Sequence, residues 1–316
     1  MFHIITPGIL SLLQDAGRYG QHAIGLTTGG PMDPLAFKWA NRLLNNDTNA
    51  TVIETTVGGL KLKANTDTVI AVTGAKVMLT INGDEKPQWQ TLEIKNGDVI
   101  ELAYATQGSR IYLSVAGGFQ VPQQFESSST VLREGIGGLN GSALTAGDEL
   151  AVEKNKNVSM KKLPGECIPE YEADVTLRVI PGYQQHEFSR HDQRMFFYHE
   201  YEVSDLCDRM GYRLSGPAVN CQIDGILSEG IALGAIQIPK DGQPIILMND
   251  RQTIGGYPKI GSVLSMDLAK LSQLTQGCKV KFEPITLDHA HNLLVLAQHK
   301  FENTQLEPLE LQGEKS

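Results

Sequence analysis

Cysteine is scarce: the chain has four, Cys167, Cys207, Cys221 and Cys278, and no C-x-x-C spacing. That excludes a disulfide frame and a zinc ribbon, and the reading is reduced thiols in a cytoplasmic protein. No apolar run approaches the ~20 residues a membrane helix requires. The opening Met1-Phe2-His3-Ile4-Ile5-Thr6-Pro7-Gly8 carries no basic stretch, and Pro7-Gly8 interrupts it too early for a signal peptide. Basic residues are outnumbered, 27 against 36, for a formal charge of −9. A nucleic-acid partner is therefore not expected, since it would require a basic footprint. There is no G-x-x-x-x-G-K-S/T phosphate loop, no G-x-S-x-G elbow and no H-E-x-x-H pair. Ser159-Met160-Lys161-Lys162 lacks the core of a biotin-carrying turn, so no covalent biotin is expected on this chain.

What remains is a chain of 316 residues with 41 % hydrophobic and 20 % charged composition and 32 glycines. Its length suits about two domains with ample core. The excess of glycine implies many tight turns between short strands. Runs rich in Val, Ile, Leu and Tyr fall at Thr68 to Val72, Val77 to Ile81, Leu92 to Ile94, Val99 to Leu102 and Ile111 to Val115. Asn82-Gly83 and Asn96-Gly97 are turn signals, because both residue types tolerate positive φ. Helices are few and short. Asp33-Pro34 starts one, with Leu35, Trp39, Leu43 and Leu44 at helical spacing. A second is expected over Asp267 to Leu274 and a third over Leu287 to Ala297.

Residues 153–172 are polar and broken by Pro164-Gly165, a linker signature. The two sides of it match in order. Ile5-Thr6-Pro7-Gly8 pairs with Ile180-Pro181-Gly182, Arg18-Tyr19-Gly20 with Arg209-Met210-Gly211, and Gly29-Gly30-Pro31 with Ser215-Gly216-Pro217. Ile53-Glu54 pairs with Leu227-Ser228-Glu229, and Gly97-Asp98-Val99-Ile100 with Gly277-Cys278-Lys279-Val280. Two β-rich barrels in tandem, over 1–160 and 171–300, are the simplest architecture for that pattern, with 301–316 a flexible tail.

Asp250-Arg251-Gln252-Thr253 directly follows the apolar Pro244 to Met248 and precedes Gly255-Gly256-Tyr257-Pro258. Four polar residues at a strand end before a Gly pair suit a pocket rim. Arg251 suits a carboxylate, whereas a surface pairing with Asp250 as turn cap explains the same residues. Arg209 and Arg213 bring two guanidinium groups close in sequence, a local positive site in an acidic protein. Gln237, on the preceding run, adds an amide. In the first half Asp15 and Arg18 read either as a loop-ordering ion pair or as a second rim. Ser127 and Ser128, in Ser127-Ser128-Ser129-Thr130, read as a flexible loop or as an anion cradle. His186-Glu187 with His191-Asp192 reads as an exposed polar loop, and no metal site is expected.

At these residues the chain resembles the allophanate hydrolase subunit 2 family, also called the antagonist of KipI or biotin-dependent carboxyltransferase family, which includes the C-subunit proteins of 5-oxoprolinase. The matching motifs are Gln14-Asp15-x-Gly17-Arg18-x-Gly20, Gly30-x-Met32-Asp33 and Ala116-Gly117-Gly118 with Ser127 to Thr130. The second half supplies Asp208-Arg209-Met210-Gly211-x-Arg213, Ser228-Glu229-Gly230, Gly234-Ala235-Ile236-Gln237-x-Pro239 and the 250–258 segment. The resemblance implies a mainly β fold of two tandem cyclophilin-like β-barrel domains. It also implies a KipI-like (allophanate hydrolase subunit 1-like) partner and a lamB-type third subunit. The activity implied is ATP-dependent hydrolysis of 5-oxo-L-proline to L-glutamate, with ATP held mainly by a partner. A biotin-dependent, urea-carboxylase-like carboxyltransferase and a regulatory antagonist of a kinase inhibitor are the alternatives. On that reading Asp250, Gln252 and Thr253 are catalytic candidates, and Arg209, Arg213, Gln237, Arg251 and Tyr257 contact substrate.

Overall fold

The computed structural model describes residues 1–153 and 158–309. Residues 154–157 of the expected linker and 310–316 of the expected tail lie outside them. The chain is mainly β, with four α-helices among the described residues. It divides into two compact units. The first comprises Met1–Arg18, 29–171 and 305–309, and the second Tyr19–Thr28 and Glu172–Thr304. Tyr19–Thr28 thus groups with the second unit. Of the stretch expected to fray, Phe301, Glu302 and Asn303 end a helix, and Glu307–Pro308 pairs with Lys161–Lys162.

In the first unit the strands lie in sheets of seven and five. Period-two alternation sets which side chains enter the core. Leu60, Leu62 and Ala64 are buried while Lys61 and Lys63 point outward, and the neighbouring Val99–Leu102 buries Ile100 and Leu102. Lys61 meets its cross-strand partner Glu101 at 2.9 Å on the outer face. The Asn82-Gly83 turn joins Leu79–Ile81 to Asp84–Lys86, with both turn residues at positive φ. Helix α1, Pro34–Leu43, starts as its sequence requires: Asp33 Oδ1 accepts from the amides of Leu35 and Ala36 at 3.1 and 3.0 Å. Its buried Ala36, Phe37, Ala40 and Leu43 cover the strands Thr68–Lys76 and Gln107–Val115.

In the second unit seven strands close a barrel: Asp174–Pro181, Lys259–Val263, Ala235–Gln237, Ile245–Leu247, Gly211–Ser215, Glu200–Cys207 and Lys279–Pro284, in that spatial order. Helix α2, Arg190–Tyr198, occupies the segment expected to be a polar loop. The Ser189 side chain caps it by accepting from Asp192 N at 3.1 Å, and Phe196 anchors it against Phe282 at a ring distance of 4.4 Å. Helix α3, Leu268–Ser272, is shorter than expected, its first turn being a 3₁₀ turn at Ser265–Asp267. Helix α4, Leu287–Asn303, runs past Ala297. No helix among the described residues is long and apolar enough to cross a membrane. The four cysteines are half-buried free thiols, and among the described residues no group of three His, Cys, Asp or Glu could hold a metal.

Candidate functional site

In the first unit, Asp15, Arg18, Ser127 and Ser128 come together in the interior. The Ser127 and Ser129 hydroxyls donate to Asp15 Oδ1 at 2.6 and 2.7 Å, the Gly17 amide reaches it at 3.0 Å, and the Ser128 amide donates to Oδ2 at 2.7 Å. Arg18, fully buried, donates from Nε to Gln124 O at 3.0 Å and from Nη2 to Ser129 O at 3.1 Å. The serine loop is buried, with Ser127 to Thr130 all at most 1 % exposed. It binds an anion, but the anion is the protein's own Asp15 carboxylate. Next to it, Glu54 accepts from the Met32 amide at 2.8 Å and the Tyr112 hydroxyl at 2.7 Å. Burial, then the Glu54 charge, pushes the Tyr112 phenol far above its usual range.

In the second unit the barrel register builds a different arrangement. The strand Gly211–Ser215 runs antiparallel to Ile245–Leu247 with Gly211 opposite Leu247. The residues before the one strand therefore meet those after the other. Met248 N donates to Met210 O at 2.9 Å and Asp250 N to Arg209 O at 2.8 Å. The side chains of Arg209 and Asp250 then form a two-bond ion pair, Nε to Oδ2 at 2.9 Å and Nη2 to Oδ1 at 3.0 Å, with both residues buried. Both oxygens of Asp250 are engaged by one guanidinium. Arg213 does not join Arg209; its partner is Asp241, near the surface.

Arg251 is placed differently. It is 6 % exposed, and its guanidinium donates only to backbone carbonyls, from Nε to Ile231 O at 3.1 Å and from Nη1 to Met248 O at 3.4 Å. Among the described residues no carboxylate pairs with it. Burial lowers its pKa, an effect the Tyr19 phenol partly opposes, yet guanidinium stays charged in proteins. Ile231 is fixed in turn, its amide donating to Thr253 O at 3.0 Å, and Glu229–Gly230 pairs with Ile254–Gly255. Gln237 is 6 % exposed and has no side-chain hydrogen bond among the described residues. A Cβ on Gly255 would stand 2.9 Å from Gln237 Nε2 and 2.5 Å from Ile231 Cδ1, so only glycine leaves Gln237 its place. Gln252 and Tyr257 are exposed and Thr253 is half-buried.

The structure adds four residues not picked out as site candidates: Tyr183, Gln184, Glu229 and Lys259. Lys259 Nζ and the Tyr183 hydroxyl both donate to Glu229 Oε1, and Gln184 Nε2 reaches the same oxygen at 3.1 Å. Gln184 Oε1 accepts from Lys259 N at 2.8 Å. Signals for them were present: Tyr183-Gln184 follows Ile180-Pro181-Gly182, Glu229 lies in Ser228-Glu229-Gly230, and Lys259 directly follows Pro258. A groove of about 880 Å³ along α2, lined in part by Arg190, His191 and Arg194, contains none of the candidate residues.

Residues 24–284 match the carboxyltransferase domain family, subdomain A and B. The chain is 38 % identical over 293 residues to the 5-oxoprolinase C-subunit of Escherichia coli, covering 92 % of this chain and 93 % of that protein. It is 37 % identical over 297 residues to the 5-oxoprolinase C-subunit of Haemophilus influenzae, covering 93 % and 94 %. The crystal structure of the Kluyveromyces lactis urea carboxylase aligns with a TM-score of 0.90 at 30 % identity, over 98 % of this chain and 30 % of the larger one. With the match running through most of both units, the chain belongs to the carboxyltransferase domain family, subdomain A and B.

Proposed function

We propose that this chain is one subunit of an ATP-dependent 5-oxoprolinase that hydrolyses 5-oxo-L-proline to L-glutamate. The observation that carries the reading is Arg251, a buried guanidinium held by two carbonyls in a unit where Arg209, Arg213 and Lys259 each have a carboxylate. An unneutralised buried charge costs several kcal/mol, roughly, and a ligand carboxylate removes that cost on binding. One spare positive charge suits a small monocarboxylate such as 5-oxoproline. The buried Gln237 amide, packed at Gly255 in the ladder whose Ile231 carbonyl holds Arg251, supplies a donor for the lactam oxygen, where negative charge develops as the ring opens. Arg209 and Asp250 hold the loop that carries Arg251, with Gln252, Thr253 and Tyr257 at its outer edge.

A triphosphate is a poor match for a site with one spare cation, so we place ATP on a partner subunit of the KipI-like or lamB type, in the cytoplasm. The test is ATP hydrolysis by the co-purified complex with and without 5-oxoproline. Phosphate and glutamate released together only when 5-oxoproline is present is the expected result; no dependence on it rejects the reaction. The alignment with urea carboxylase favours a second reading, transfer of a carboxyl group from carboxybiotin. It predicts instead that turnover requires a biotinylated carrier protein.

A further inference from the structure

Glu229 stands opposite Gly255 in the short ladder that also fixes Ile231. Its carboxylate is held from one side only. Three donors, Lys259 Nζ, the Tyr183 hydroxyl and Gln184 Nε2, converge on Oε1, while Oε2 receives no hydrogen bond among the described residues. The side chain of Lys259 is 11 % exposed and that of Glu229 33 %, so the lysine is anchored inside while the carboxylate keeps access to solvent. Lys259 first, and Tyr183 next, hold this carboxyl below its usual range, so it is an acceptor at neutral pH.

The surroundings place that acceptor beside the anion site. Ile231, two residues beyond Glu229, gives its carbonyl to Arg251 Nε. Two residues of extended chain span about 6.6 Å. The position facing Glu229 across the ladder is Gly255, where a Cβ would already stand 2.9 Å from Gln237 Nε2, so the amide packs directly against this ladder. Arg251, Gln237 and Glu229 thus all belong to or touch the one ladder formed by Glu229–Ile231 and Thr253–Gly255.

We infer that Glu229 is a specificity residue of this site: its Oε2 accepts the N–H of a ligand whose carboxylate Arg251 holds, restricting the site to carboxylates with an unsubstituted amide nitrogen. The inference rests on the assignment of Arg251 as the carboxylate site of the proposed 5-oxoprolinase. In Glu229→Gln the three donors keep the amide oxygen at the Oε1 position. The NH₂ group then faces the ligand N–H, donor against donor.

The experiment compares 5-oxo-L-proline with its N-methyl derivative in the co-purified complex, wild type and Glu229→Gln, by ligand-dependent phosphate release. Methylation should lower wild-type kcat/KM about 10- to 100-fold, mostly through KM, as losing one ligand hydrogen bond to a charged acceptor does. In Glu229→Gln, 5-oxoproline should fall by a similar factor, and the N-methyl penalty should shrink to within about threefold, because the two changes remove one contact. Equal use of both ligands by the wild type overturns the inference without relying on any variant. So does an undiminished N-methyl penalty in Glu229→Gln. Absence of any turnover with 5-oxoproline rejects the proposed reaction and this inference together, whereas equal turnover leaves the reaction standing and rejects the inference alone.

Discussion

Two buried arginines on adjoining loops of one barrel end should respond in opposite ways to the same substitution. Arg209 is neutralised by Asp250 through two bonds, and Arg251 by no carboxylate among the described residues. Replacing Arg209 with Met strands the Asp250 carboxylate, which is 5 % exposed. Breaking a buried pair in this way costs about 3–5 kcal/mol. At about 2–4 °C per kcal/mol, Tm should fall by roughly 6–20 °C. Arg251→Met removes an unpaired buried charge and keeps an unbranched side chain of similar length. The two carbonyl bonds lost, both from a charged donor, are together worth about 3–6 kcal/mol, against a recovered desolvation cost of several kcal/mol, roughly. The two nearly cancel, so stability should change by no more than about 2 kcal/mol downward and is free to rise. Activity should move the other way, kcat/KM in the reconstituted complex falling about 100- to 1000-fold, as for truncation of one member of a buried charge pair. Thermal unfolding of the full chain with 5-oxoproline turnover by the complex reads both quantities. If Arg251→Met destabilises as much as Arg209→Met, Arg251 is a structural residue and the anion-site argument fails.

Other consequences are equally direct. Gly255→Ala puts a methyl group 2.9 Å from Gln237 Nε2 and 2.5 Å from Ile231 Cδ1; kcat/KM should drop about tenfold or more with a stability loss of about 1–3 kcal/mol, and full activity would show that Gln237 is not in the site. Asp15→Ala leaves the donors of Ser127, Ser128, Ser129 and Gly17 without their acceptor. Urea unfolding should report a loss of at least about 3 kcal/mol, and a loss below about 1 kcal/mol would mean that the serine loop is not held by this carboxylate. Burial pushes the Asp267 carboxyl up, but two bonds from Arg178, at 2.7 and 2.6 Å, outweigh it and hold the pKa below its usual value. Its contribution is then complete above the unfolded pKa near about 3.9 and is lost as pH falls from there through the lower folded value. Asp267→Asn should flatten the acid limb of stability against pH, and an unchanged limb would refute the linkage.

Local chemistry was legible wherever partner and signal lie within a few residues. The Asp33-Pro34 cap, the Asn82-Gly83 hairpin and the apolar runs Leu92 to Ile94 and Val99 to Leu102 all depend on near neighbours, and each stands where the sequence places it. Helix α2 was hidden because Phe196 is its one buried residue, so no apolar stripe announces it. Its capping signal, Ser189 with Asp192 three residues on, was readable. Charge pairing was the opaque part. Arg209 finds Asp250 across 41 positions through barrel register, and Lys259 finds Glu229 across 30 between the barrel and a separate two-stranded ladder, and no local pattern encodes either. The nearness of Arg209 and Arg213 in sequence suggested a shared anion site, but alternate positions along a chain need not share a partner, and Asp241 claims Arg213 separately.

The matched motifs of the two halves reach opposite electrostatic outcomes. Ile5-Thr6-Pro7 and Ile180-Pro181 each end the first strand of their unit. Each unit then buries an arginine of a matched pair, Arg18 and Arg209. In the first unit the hydroxyls and amides capable of binding an anion are filled from within by Asp15, and Arg18 binds carbonyls of the same serine loop. The Asp15 carboxylate takes four donors from its own surroundings, so its bonding capacity is met within the protein. In the second unit Asp250 neutralises Arg209 and Glu229 neutralises Lys259, while among the described residues no carboxylate pairs with Arg251. Arg251, Gln237 and Glu229 Oε2 retain bonding capacity that the described protein residues do not use. Buried polar groups left unsatisfied cost stability, and a fold keeps them where a ligand completes the set. Among the described residues the candidate site thus lies in the second unit, where no carboxylate pairs with the buried Arg251.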